Sequence, residues 1–160
     1  MPNLAKSAEK VQEVLDSHGL DLEVRELDKS TRTAKDAAST LDCEVAQIAK
    51  SLIFKSADTE KPILVIASGI NRVNEAKIAS YLQESKIVRA DADFVRSATG
   101  FAIGGVPPVG HVEPLRTFID EDLFQYKQLW AAAGTPRSVF SLTPKELVQI
   151  TEGDVVNVSD

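Results

Sequence analysis

Two apolar runs in the middle of the chain decide the fold: SLIF at Ser51–Phe54 and PILVIA at Pro62–Ala67, separated by the polar segment KSADTEK at Lys55–Lys61. Continuous apolar runs of this length are typical of strands that are buried on both faces of a sheet. The polar segment has the composition of a turn and predicts a hairpin. We therefore expect an antiparallel strand pair at the centre of the fold.

Helix signals lie on both sides of this pair. Apolar residues at helical spacing, followed by Gly19, predict a first helix. Its apolar stripe consists of Leu4, Ala8, Val11 and Leu15. Thr33 precedes AKDAASTL, and its hydroxyl is expected to cap a second helix. TPKE at Thr143–Glu146 combines a cap, a proline at the first helical position and a glutamate at the third, which predicts a helix near the C-terminal end.

Short apolar segments outside these helices predict additional strands. They are Leu22–Leu27, Ile87–Val88, Leu115–Ile119, Val139–Leu142 and Val155–Val158. GFAIGGVPPVG at Gly100–Gly110 predicts strand, turn and strand, and Asp120–Gly134 predicts a helix. Short strands mixed with helices, without a regular βαβ alternation, favour an α+β fold. We expect one domain over residues 1–160, with a mixed, mostly antiparallel sheet and flanking helices.

Composition excludes several classes of protein. No stretch approaches the roughly eighteen apolar residues of a membrane span. The single thiol, Cys43, can form neither an internal disulfide nor a CxxC pair. His18 and His111 lie far apart without a second ligand type at metal spacing, so we expect no metal. The N-terminal segment lacks the apolar block and cleavage site of a signal peptide, which predicts a cytoplasmic protein.

The net charge of −6 argues against a surface that grips DNA or RNA along its length. The charge is uneven, because Lys50–Arg96 holds 8 basic and 6 acidic residues while the segments before and after it each have a net charge of −4. This middle region can contact a small anionic group such as one end of an RNA, or it can carry ordinary solvated lysines.

Several catalytic signatures are absent from the sequence. It contains no GxSxG elbow, no GK[ST] phosphate loop and no GxGxxG fingerprint. A lipase-like hydrolase, a P-loop nucleotidase and a dinucleotide enzyme all lose support.

Lys50 is expected at the junction between a helical turn and the strand SLIF. An ammonium group at such a junction is partly removed from water and can contact a phosphate, a carboxylate or an ester oxygen. The alternative is a lysine whose stem covers apolar surface while its ammonium group reaches solvent.

The loop Gly104–Pro108 has the form GxxxP. Glycines permit positive φ and close approach to the backbone, and prolines fix the path, so the loop can present N–H groups to an oxyanion or a carbonyl. A rigid β-turn is the alternative. His111, just after the loop, can be a base, a donor to a ligand or a structural polar residue.

Four segments share the order and content of a known family. They are TRTAKDAASTL (Thr31–Leu41), AQIAKSLIF (Ala46–Phe54), TGFAIGGVPPVGH (Thr99–His111) and AAAGTPRSVFSLTPKEL (Ala131–Leu147). Together they resemble the YbaK/EbsC/ProX family, the free-standing relatives of the editing domain inserted in bacterial prolyl-tRNA synthetases. The Lys50 junction and the GGVPPVG loop are the specific part of this resemblance.

The resemblance implies an α+β fold and hydrolysis of the ester that joins a wrong amino acid to the 3′ end of a tRNA, with no cofactor. Lys50 matches the family's catalytic or substrate-orienting lysine and Gly104–Pro108 its GxxxP loop, so the expected catalytic residues are Lys50, Gly104 and Gly105. The expected substrate-binding residues are Thr33, Val106, Pro107, Pro108 and His111. Aminoacyl-tRNA is the implied partner and prolyl-tRNA synthetase a further candidate, whereas no contact with DNA or a membrane is expected.

The loop departs from the patterns that mark known specificities. Pro107 stands where the family's Cys-tRNA(Pro) deacylases usually have serine, and the V-T-P-F loop of the alanine-editing branch is not matched either. The edited amino acid is therefore open among Cys, Ala, Ser and Thr. A non-catalytic module that holds tRNA ends or partners a synthetase, and an unrelated small-molecule binder with the same fold, stay as alternatives.

Overall fold

The computed structural model describes residues 5–31 and 33–160. Within these ranges the chain forms five helices and eight strands. The helices are α1 (Lys6–Ser17), α2 (Ala34–Leu41), α3 (Glu75–Leu82), α4 (Ala92–Thr99) and α5 (Pro144–Thr151). The strands are β1 (Arg25–Glu26), β2 (Ile48–Ser56), β3 (Pro62–Ser68), β4 (Ile87–Arg89), β5 (Arg116–Asp120), β6 (Leu129–Ala132), β7 (Ser138–Leu142) and β8 (Asp154–Val156). No helix in the described ranges is long and apolar enough to cross a bilayer.

The predicted helix starts are confirmed at the atomic level. The Thr33 hydroxyl accepts a hydrogen bond from Asp36 N at 3.1 Å, and α2 follows it. At α5, Thr143 Oγ1 accepts from Glu146 N at 3.1 Å while Thr143 N donates to Glu146 Oε1 at 2.9 Å, a complete capping box. The first helix is confirmed as α1, although Leu4 of its predicted stripe lies outside the described residues.

All eight strands belong to one mixed sheet. Its order is β1-β7-β6-β2-β3-β5-β8, and β4 pairs with β2 off this path. The predicted hairpin is confirmed as the antiparallel pair β2–β3, in which Lys50 lies opposite Ala67. Four of the seven described pairings are antiparallel and three are parallel. The expected α+β fold with a mixed, mostly antiparallel sheet is confirmed.

The sheet divides along one edge of β2, and we call this gap the fork. At the start of β2, Ile48 and Ala49 pair with β6. Towards its end, Phe54–Ser56 pair with β4. No described strand pairs with this edge of β2 between those two points. The fork therefore leaves the main chain around Ser51 without a neighbouring strand on one side.

Side chains of β2 alternate between two cores on opposite faces of the sheet. Ile48 and Phe54 belong to apolar clusters beneath α2 and α3, respectively. Ala49 and Ile53 belong to the larger cluster on the other face, which includes residues of α1 and α5. By this alternation Lys50 projects to the face of α2 and α3, and Ser51 to the opposite face.

Three sequence-based expectations about local structure are wrong. Gly100–Gly110 contains no strand, because Gly100 ends α4 in a left-handed conformation and the following turns and prolines offer no strand pairing. Asp120–Gly134 is not one helix: a 3-10 turn at Glu121–Gln125 is followed by β6, whose pairing with β2 and β7 overrides local preference. Lys50 is the third residue of β2 rather than a junction residue, since the strand begins at Ile48.

Candidate active site

A cavity of about 460 Å³ opens at the fork of the sheet. Residues 48–54 of β2 form one of its walls. The remaining walls come from α2, from the segment that links β3 to α3, from β4, from β6 and from the loop that follows α4. Because the fork interrupts the sheet, this cavity reaches residues that belong to both faces. Ligand pockets of enzymes commonly have this size.

Lys50 is the half-buried cation of the cavity wall. Burial lowers the pKa of its ammonium group below the ordinary lysine value, and the positive charge of Arg89 lowers it further, while Asp120 opposes the shift. No ion pair to Lys50 occurs within residues 5–31 and 33–160. An ammonium group in this position is available to a negatively charged or strongly polar ligand atom.

On the face of α2 and α3, apolar residues such as Ile48 and Trp130 line the cavity beside a group of charged residues, which we call the charged end. It comprises Lys50, Arg72, Glu75 and Arg89. Two exposed aliphatic side chains also line the cavity, Ile70 at 64% and Ile103 at 46% exposure. Three cations against one carboxylate suit a phosphate-bearing ligand, and the two isoleucines offer apolar contact to a flat group such as a base.

A buried carboxylate holds the segment that carries Arg72, one of the cations of the charged end. Asp120 is 1% exposed, and its Oδ2 accepts hydrogen bonds from Ser68 N at 3.0 Å and Asn71 Nδ2 at 2.8 Å. Its Oδ1 accepts from Asp122 N at 2.9 Å. Because Arg72 follows Asn71 directly, these bonds connect the end of β5 to the position of Arg72 in the cavity.

Both the sequence and the fold of this chain are similar to those of known proteins. The model of the aminoacyl-tRNA editing domain family matches residues 28–150. The chain belongs to this family. The uncharacterized protein YwhH of Bacillus subtilis is 30% identical over 81% of each chain. A solved structure described as a "putative trans-editing enzyme for prolyl tRNA synthetase" superposes with a TM-score of 0.92 at 45% identity, covering 99% of both chains.

The chain is also similar to part of a larger enzyme. Proline–tRNA ligase of Leuconostoc mesenteroides is 32% identical over 56% of this chain, a match that spans 15% of the ligase. The likeness to that enzyme therefore concerns a small part of its length, in contrast to the free-standing relatives, which match over most of theirs.

The editing domain brings only some of the predicted site residues to the cavity. Lys50, Thr33, Gly104 and Val106 line it. Gly104 has φ = +96°, a conformation that glycine adopts without strain. Its N–H has no main-chain hydrogen-bond acceptor within the described ranges. Of the two loop glycines, Gly104 is therefore the one that lines the cavity and whose N–H is not used in a described main-chain hydrogen bond.

Gly105 has a packing role instead. Its N–H donates to Ala102 O at 3.0 Å and its carbonyl accepts from Gly134 N at 2.9 Å. A Cβ at Gly105 would lie 2.8 Å from the Thr135 backbone. The missing side chain thus allows two backbone segments to touch, and the N–H expected to face an oxyanion is already used in a turn.

Pro107, Pro108 and His111 lie away from the Lys50 cavity. His111 Nε2 is 2.7 Å from Pro107 O, and since a carbonyl only accepts, this nitrogen carries the proton. Burial is the main cause that lowers the pKa of His111. Pro108 and His111 line a second cavity of about 470 Å³, together with residues of α1 and of the end of α5. The structure therefore does not bring His111 and Lys50 to one cavity.

Several lining residues of the editing domain did not emerge from the sequence as site residues, among them Arg72 and Arg89 of the charged end, Trp130 and Ser51. Trp130 is buried in β6, whose strand conformation the helical prediction had missed. Ser51 follows Lys50 and has a buried hydroxyl with no hydrogen-bond partner in the described part of the chain. The adjacency of Ser51 to Lys50 was a signal in the sequence, but a buried unpaired hydroxyl can be recognised only in three dimensions.

Proposed function

We propose that this editing domain is a deacylase that hydrolyses the ester of mischarged aminoacyl-tRNA in trans, in the cytoplasm. The observation that carries the proposal is the half-buried Lys50 ammonium, without an ion pair among the described residues, in a cavity that also contains Arg72 and Arg89. Such a cavity suits an ester next to a phosphodiester, which is the chemistry of a tRNA 3′ end. Membership of the family supports the same substrate class.

In this proposal the terminal nucleotide binds at the charged end. Arg72 and Arg89 contact the last phosphate, and Ile70 and Ile103 contact the base. Lys50 then lies next to the ester, because it belongs to the same wall and projects to the same face. Binding the phosphate and base places the reactive bond before any chemistry starts, which by itself lowers the barrier.

The reaction needs no covalent enzyme intermediate. The oxygen of water, or of a substrate hydroxyl, attacks the ester carbonyl carbon, and negative charge develops on the carbonyl oxygen. Lys50 and the N–H of Gly104 stabilise that charge. The bond to the ribose oxygen then breaks, and this oxygen receives the proton that the attacking group loses. Attack by water gives a free amino acid and a tRNA with a free 3′-terminal hydroxyl; attack by a substrate hydroxyl gives a new ester, which a water molecule then hydrolyses to a free acid and a free hydroxyl.

The test is release of amino acid from mischarged tRNA. Purified protein is mixed with tRNA(Pro) charged with alanine, serine, cysteine or threonine, and release is compared with spontaneous ester hydrolysis. We expect accelerated release from at least one of them. Binding of all four without release above the spontaneous rate would identify a tRNA-end-binding module and overturn the proposal.

A further inference from the structure

The hydroxyl of Ser51 differs from the other polar groups of the cavity in its hydrogen bonding. It is buried, and no hydrogen-bond partner for it exists in the described part of the chain. Buried hydroxyl groups almost always have a partner, and leaving one without a partner costs free energy. Ser51 is a lining residue of the cavity at the fork, and its hydroxyl is itself closed to solvent, so a ligand supplies the missing hydrogen bond once the side chain rotates towards the cavity.

The surroundings of Ser51 are apolar and small, and we call them the apolar end. Six lining residues belong to the large cluster on the face to which Ser51 projects: Ala49, Ile53, Ala90, Val95, Val106 and Ala131. The charged end lies on the other face. For a substrate with its nucleotide at the charged end and its ester next to Lys50, the apolar end is one place where the amino-acid side chain fits, across the fork from the nucleotide.

We propose that Ser51 selects aminoacyl groups with a side-chain hydroxyl, which makes seryl and threonyl esters the preferred substrates over alanyl esters. The inference rests on the proposed deacylase function and names its substrate class. A serine hydroxyl can both donate and accept, so it pairs with another hydroxyl in an otherwise apolar pocket. An alanyl group fills the same space but leaves Ser51 unpaired, and sites with a buried polar group reject analogues that lack its partner.

Binding of non-hydrolysable analogues tests this inference independently of turnover. The probes are 3′-serylamino-3′-deoxyadenosine and its alanyl counterpart, which differ by a single hydroxyl. For the unaltered protein we expect the seryl analogue to bind about tenfold more tightly, the size of one hydrogen bond to a buried group. In Ser51→Ala the two affinities should agree within about twofold, while in Ser51→Thr, which keeps the hydroxyl, the seryl preference should persist.

The variant also separates recognition from folding. Because Ser51→Ala removes an unpaired buried hydroxyl, its melting temperature should stay equal or rise. Ser141→Ala, at a half-buried strand serine outside both cavities, is the matched control and should keep the seryl preference.

Three results would overturn the inference: equal affinity of the unaltered protein for both analogues, an unchanged seryl preference in Ser51→Ala, or no binding of either analogue. Seryl-selective binding without hydrolysis of any charged tRNA would leave the inference standing and refute the deacylase proposal instead.

Discussion

At the scale of single residues, Lys50 combines two properties that oppose each other. Burial and Arg89 lower its pKa, so the ammonium form is disfavoured relative to a lysine in water. A cation that is poorly solvated before the substrate binds gains more from a developing negative charge than a solvated one does. The cost to the folded protein and the benefit to the reaction thus have the same physical origin.

Replacing Lys50 with methionine should separate the contribution of the ammonium group to catalysis from its effect on the stability of the folded protein. We expect Lys50→Met to reduce deacylation about a hundredfold, or roughly 3 kcal/mol of barrier, since the group acts on charge formed in the transition state. The stability of the variant at neutral pH should be equal or higher. Single-turnover release of amino acid and thermal unfolding measure the two effects, and unchanged release by a folded variant would remove Lys50 from the mechanism.

The lowered pKa of Lys50 also gives the direction of the pH dependence. In the interval between its folded and its ordinary value, the unfolded chain binds the extra proton, so this group makes stability increase with pH there. Activity that needs the ammonium form should decrease over the same interval, below the pH at which an ordinary lysine loses its proton.

At the scale of elements, the two glycines in the loop after α4 have different roles. Gly104 lies at the cavity with positive φ, whereas Gly105 touches the segment after β6. The sequence predicted one shared role, approach of the substrate to backbone N–H groups. Close packing of two backbone segments requires glycine just as close approach of a substrate does. The sequence pattern alone therefore does not distinguish packing from substrate binding.

Gly105→Ala should therefore act mainly on stability. Its Cβ would meet backbone atoms of Thr135 at 2.8 Å, and backbone cannot rotate away as a side chain does. We expect a loss of about 2 kcal/mol or more in the free energy of unfolding, in the range of overpacked sites. Denaturant titration measures it, and because Gly105, unlike Gly19, does not have a positive φ, backbone strain does not contribute to this loss. An unchanged free energy of unfolding in Gly105→Ala would contradict a packing role.

The connection between β5 and the segment after β3 depends on one buried carboxylate. Asp120→Ala removes the acceptor of three hydrogen bonds and leaves Ser68 N without its partner. We expect a loss of roughly 3 kcal/mol in stability and weaker binding of the tRNA end, because Arg72 is no longer held. Asp122→Ala, at a half-buried residue whose Oδ2 accepts from Asn71, should have a smaller effect on both. Denaturant titration measures the stability of each variant, and binding titration measures its affinity for the tRNA end. Equal effects of the two variants would refute the role of Asp120 in holding the segment after β3.

At the scale of the whole molecule, an acidic protein is proposed to bind a polyanion. The net charge of −6 repels most of a tRNA, whereas the charged end of the cavity has three cations in one place. Contact is therefore expected to be confined to the last nucleotides of the tRNA.

Salt dependence measures how far this contact extends. With two phosphate-directed cations, Arg72 and Arg89, the plot of log affinity against log salt concentration should have a slope of about −1.4, given roughly −0.7 per contact for a single strand. Arg72→Gln should reduce the magnitude of the slope, and Arg137→Gln, at an exposed residue outside both cavities, should not. A slope steeper than about −4, as six or more contacts produce, would show that the acidic surface also takes part.

The sequence by itself determined the features whose hydrogen bonds are local. Caps such as Thr33 and Thr143, and the hairpin between β2 and β3, depend on residues close together in the chain, so their patterns were sufficient. The quoted segments were also enough to indicate the family.

Tertiary structure decided the remaining features. β6 is a strand because β2 and β7 flank it. The fork exists because β6 and β4 pair with different parts of β2. Contacts between residues far apart in the chain also decide which loop glycine reaches the cavity. They likewise decide that the Ser51 hydroxyl is buried without a described partner. No local pattern encodes such contacts.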